Sequence, residues 1–222
     1  MAKLLKVAGI FGIVLLALTL ITLVTVFVTI FSGGNVDDVL PKAGTFNIFT
    51  IFYLIIPLVS VGFLYGFIAL GKRFSNKLLL VAGWFFVFFT ILSFLANFLF
   101  IIGVDIFITP QIEAESSLQG AIFNIFGKIP FFAFALNLFG YEALWPILII
   151  FFIVGFSLQL IFAIGIIKLK NNGVPFAIWC GWGEIIRMAS DNISPAVITL
   201  EIIMFFKASK QFEQENPRVI SQ

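Results

Sequence analysis

Glu184, Arg187 and Asp191 stand at i, i+3 and i+7, which puts all three on one face of a helix. Glu201 follows within the apolar stretch 196–206. A charged side chain at mid-bilayer costs roughly 2.5–3.5 kcal/mol on insertion scales. Such groups survive by pairing, by facing water or by sitting at the interface. Two chemistries fit the spacing. One is a polar site inside a helical bundle, for passage of an ion or proton or for a lipid headgroup. The plainer one is an ion pair, Glu184–Arg187 or Arg187–Asp191, that holds a short helix against its neighbours. For Glu201 two states are open: it accepts from Arg187, or it carries a proton.

The remaining residue types exclude much other chemistry. There is no histidine, which removes the usual haem axial ligand and the commonest zinc and copper ligand. The single cysteine, Cys180, can form neither an intrachain disulfide nor a thiolate cluster, and it has no histidine to activate it. It reads as a small packing residue. No nucleophile elbow, phosphate-binding loop or metal-ligand spacing occurs. The chain is therefore expected to be no enzyme and to hold no cofactor and no metal. Its net charge of +2 is spread over several loops, so no nucleic-acid face is expected.

The elements that must position these groups follow from composition. Of 222 residues, 61% are hydrophobic and 11% charged, against roughly 45–50% and about 25% in a soluble domain. A chain of this size cannot hide that much apolar surface in a water-soluble core. Disorder needs the opposite composition. What remains is an all-α, polytopic transmembrane bundle forming a single integral membrane domain. A helix needs about 20 apolar residues to cross a core of roughly 30 Å. Four stretches qualify, at 5–31, 46–70, 78–104 and 143–167. The first is too long for a signal-peptide core and reads as a retained helix. Two shorter stretches follow, at 175–189 and 195–207, separated by Ser190-Asp191-Asn192-Ile193-Ser194-Pro195, a break signal. They allow two short spans, a re-entrant hairpin or one broken helix. About six spans are expected, the last two short or re-entrant. Segment 105–142 carries an apolar stripe at Leu118, Ala121, Ile122, Ile125 and Phe126, then a Gly-Lys-Ile-Pro break. It reads as an external, interfacial amphipathic segment. Residues 208–222 read as a cytoplasmic tail.

Lysine and arginine near span ends set orientation. They fall at Lys3 and Lys6, at Lys72, Arg73 and Lys77, at Lys168 and Lys170, and at Lys207, Lys210 and Arg218. The alternate loops are acidic or neutral. Both termini and both short basic turns are expected in the cytoplasm of a cell-membrane protein. One crossing by 174–206 would put Lys207 and Lys210 outside, so a return to the starting side is expected.

Two stretches repeat at a spacing of 98 residues. Ile68 to Trp84 and Ile166 to Trp182 both read helix end, basic turn, apolar restart and Gly-Trp. A true duplication would be a parallel repeat, and it would equate 78–104 with 176–202. Gly62 and Gly66 form a GxxxG pattern, and Gly155, Gln159 and Ala163 a second ridge. With Asn97 these are candidate helix-packing positions, within the bundle or toward another subunit, and Gln159 and Asn97 are also candidates for interhelical hydrogen bonds.

The helix, basic turn and Gly-Trp restart, with Phe- and Ile-rich spans and no histidine, resembles small uncharacterised polytopic membrane proteins of archaea over roughly residues 46–206. The resemblance implies no activity and transfers no site residues. The function expected is that of a non-catalytic structural or accessory subunit, in contact with membrane lipids and with other membrane subunits or itself. The alternative is a small oligomeric channel or transporter using the charges in 184–201.

Overall fold

A computed structural model describes residues 1–33, 48–101, 141–189 and 193–215. All regular structure among them is helical. The helices are α1 (Ala2–Phe31), α2 (Ile48–Arg73), α3 (Lys77–Ile101), α4 (Tyr141–Lys168), α5 (Ala177–Ala189) and α6 (Ser194–Glu215), with a 3₁₀ turn over Leu169–Asn172 after α4. Four of them, α1 to α4, are long and apolar enough to cross a membrane. Residues 105–140 of the expected interfacial segment, and Asp191, lie outside the described residues.

Each helix packs on the next, and α6 closes on α1, so the six form a ring. All neighbours are antiparallel. Gly12 faces Ile202 and Gly9 faces Phe206, so α6 runs back along α1. Gly62 faces Phe11 and Gly66 faces Ala8, so α2 runs back along α1 as well. Rings join helices across the interior. Phe67 on α2 meets Phe162 on α4 at 4.9 Å and Phe205 on α6 at 4.7 Å, and Phe86 on α3 meets Phe162 at 5.1 Å. Edge-on contacts of this kind suit the aromatic quadrupole and leave no polar group to satisfy.

The outer surface is apolar too. Ile10, Phe88 and Trp179 are all exposed, each on a helix whose other side is core, and so are Val24, Ile150 and Ile153. Helices that are apolar all round belong in a membrane or a large core. The hydroxyls agree: Thr19, Thr22, Thr25 and Thr29 each donate to the carbonyl four residues back in α1. In hydrocarbon a helix must satisfy its polar groups internally.

The basic residues gather at one end of the ring. Lys6 pairs with Glu213 at 2.6 Å, and the Arg73 guanidinium stands 5.8 Å from the Phe212 ring. Asn76 donates from Nδ2 to the Gly165 carbonyl at 2.7 Å, tying the α2–α3 turn to the end of α4. That bond holds α3 so close to α4 that a Cβ on Gly165 would meet the Leu79 backbone nitrogen at 3.0 Å.

The two turns 98 residues apart have the same hydrogen bonds. Asn76 N donates to Gly71 O and Val174 N to Leu169 O. Ser75 N donates to Lys72 O and Gly173 N to Lys170 O. These are Schellman-type helix ends. Beyond the turn the repeat diverges: α3 runs on for 25 residues, whereas α5 stops after 13.

One expectation needs revising. Residues 208–215 are not a tail: α6 continues through them to Glu215. Ala208, Ser209 and Phe212 are buried, with Ser209 donating to the Ala2 carbonyl. Helical periodicity persists there among the charges, so the apolar count falls while the packed face does not. At the other boundary, α4 takes in Tyr141 and Glu142, which were read as the end of the external segment.

Candidate functional site

α5 is the helix whose two sides differ most. Ala177, Cys180, Gly181 and Glu184 face inward, while Trp179, Trp182 and Ile186 face out. Glu184 thus occupies a core position at helical spacing. Glycines let α5 lie close on both neighbours. A Cβ on Gly181 would meet the Ala163 carbonyl oxygen of α4 at 2.7 Å, and one on Gly183 would meet Val197 of α6 at 3.1 Å.

At that depth four polar side chains converge. Gln159 of α4 donates from Nε2 to Glu184 Oε2. Arg187, one turn along α5, reaches the same oxygen with Nη2 at 3.1 Å. Glu201 of α6 lies within hydrogen-bonding reach of the Glu184 carboxyl. Both glutamates are 1% exposed, and Glu201 Oε1 has no partner among the described residues. Arg187 is half-buried and provides the side of the cluster nearest the surface. Gln159 stands nine residues before Lys168, or about 13 Å along the helix at 1.5 Å per residue. In a core of roughly 30 Å that is close to the middle.

Of the residues singled out by sequence, Glu184, Arg187 and Glu201 come together. Gln159, a candidate for packing and for an interhelical hydrogen bond, belongs with them. Hairpin arithmetic carries that signal: Gln159 stands nine residues before the end of α4 and Glu184 seven after the start of α5, so an antiparallel pair brings them to a similar depth. Gly62, Gly66 and Ala163 lie in contact seams, the first two against α1 and the third against Gly181. Gly155 faces open space, with nothing within 4 Å of a built Cβ. Asn97 is half-buried on α3. Cys180 is fully buried beside the cluster.

Among the described residues, no three side chains of Cys, Asp or Glu type are grouped to hold a metal ion. An open, apolar groove of about 540 Å³ lies elsewhere, along α3, lined by Lys72, Leu80, Val81, Trp84, Phe85 and Phe88. The Lys72 ammonium stands 5.9 Å over the Trp84 ring there. The polar cluster ties α4, α5 and α6 together. No family model, curated protein or solved structure matches the chain.

Proposed function

We propose that this chain is a non-catalytic, multi-pass protein of the cell membrane that serves as a structural or accessory subunit. The basic ends face the cytoplasm, as the distribution of lysine and arginine favours. α5 and α6 enter from that side and return to it. At 13 residues α5 is about 20 Å long, short of a core of roughly 30 Å. The last pair is then a re-entrant hairpin beside four full crossings.

The observation that carries the reading is the internal pairing of Glu184. Glu184 spends its charge on Arg187 and Gln159 inside the protein. That use of intramembrane charge is architectural. Beyond the half-length hairpin, α4 presents exposed side chains to its surroundings. Ile149, Ile150, Ile153, Val154, Gly155, Phe156 and Ser157 are all exposed, on every side of the helix. A segment with a glycine at its centre lets another helix approach closely.

The test is native mass spectrometry from a mild detergent, comparing Gly155→Trp with Phe88→Ala. The reading expects the parent and F88A to carry the same partner subunit or second copy, and G155W to lose it. A parent chain that flies alone under these conditions contradicts it.

A further inference from the structure

Among the described residues, the charges in the buried cluster do not balance. Glu184 and Glu201 bring two negative charges and Arg187 one positive. Asp191 lies outside the described residues and is not counted. Cys180, one turn before Glu184, is the other ionisable side chain beside the pair and supplies no positive charge. On the elements packed around it, Gln159 of α4 is neutral, and the α1 and α2 residues that face α6 near Ile202 are Gly12 and Phe63. Burying an uncompensated charge costs several kcal/mol even after relaxation. The missing positive charge has a location. Among the described residues Glu201 Oε1 is buried without a partner, and the carboxyl it belongs to lies within hydrogen-bonding reach of that of Glu184.

We propose that Glu184 and Glu201 form a proton-binding site, in which the two carboxyls hold one exchangeable proton between them and Arg187 balances the remaining charge. The contact itself calls for this occupant. A carboxylate only accepts hydrogen bonds, so two facing carboxyls attract only when one of them is a donor. A proton needs no further ligands. A metal cation would need several oxygens, and a cationic guanidinium already occupies the open side. Arg187, half-buried, is where the proton enters and leaves. The site does not depend on the subunit reading, and it gives the hairpin a charge state that follows the medium.

Infrared spectroscopy of the purified chain in an ester-free detergent reads the carbonyl stretch of a protonated carboxyl and its shift in D₂O. Near neutral pH the wild type should show one such group per chain. Glu201→Gln and Glu184→Gln should each abolish it, because one carboxylate then faces one arginine. Arg187→Gln should double it. The wild-type spectrum decides even if a variant fails to fold. No protonated carboxyl there, or one that survives in both E201Q and E184Q, overturns the proposal. A band that appears only after sodium and potassium are removed assigns the missing charge to a monovalent cation and overturns it equally.

Discussion

Ser75 and Gly173 occupy the same place in two copies of one turn, and both hold left-handed backbone, with φ of 52° and 74°. Glycine takes this conformation freely, whereas serine carries a Cβ that crowds the carbonyl. Ser75→Gly should therefore stabilise the chain, and Gly173→Ala should destabilise it by about 1 kcal/mol. Thermal unfolding in one detergent measures both. Equal melting temperatures for G173A and the parent would remove the turn from the account.

Gln159 is the neutral donor to a buried carboxylate. Gln159→Leu keeps the volume but leaves Glu184 short of a partner. A hydrogen bond to a charged group is worth about 1.5–3 kcal/mol, and Q159L should lose about that much. In the double variant Q159L/E184Q part of the loss should return, because no full charge is then stranded. Denaturant or thermal unfolding of the four chains forms the cycle, and simple additivity would mean that the two side chains do not interact.

The two glycines on α4 and α5 should respond in opposite ways. Gly181→Val drives a branched side chain into the Ala163 carbonyl and should cost about 1–3 kcal/mol or unseat the hairpin. Gly155→Ala meets nothing within the chain and should stay within about 0.5 kcal/mol of the parent. Limited proteolysis at the turn after α4 reports the first effect directly. An intact, parent-like G181V would mean that α5 does not lie on α4 as described.

The sequence was most legible where chemistry is local. Lys72, Arg73 and Lys77 marked one turn and Lys168 and Lys170 another, because charge is expelled from an apolar run wherever the chain leaves it. The i, i+3 spacing of Glu184 and Arg187 made their pair one of two on offer, beside Arg187–Asp191. What needed three dimensions was less visible. Gln159 was legible as an interhelical hydrogen-bonding candidate but its partner was not, because Glu184 lies 25 positions away and meets it only when α4 and α5 are antiparallel and close. Glu201 was an isolated charge until α6 brought it to Glu184. Residues 208–215 looked like a tail because Lys207, Lys210 and Glu213 dilute the apolar count, while Ala208 and Phe212 keep the buried face. The repeat was visible as Gly-Trp after a basic turn. Its physical content, one hydrogen-bond pattern with a left-handed residue at the same position, lies in the backbone.

The central claim is that the membrane-embedded ring presents all its basic ends on one face, with α5 and α6 returning to the side they left. Single cysteines at Ser32, Ser75, Asn172 and Gln214, placed in a Cys180→Ala chain, test it by labelling with an impermeant maleimide on either side of sealed vesicles. The account predicts that positions 75, 172 and 214 react from the cytoplasmic face and position 32 from the other. Labelling of 214 on the face opposite to 172, or of 32 on the same face as 75, would contradict it.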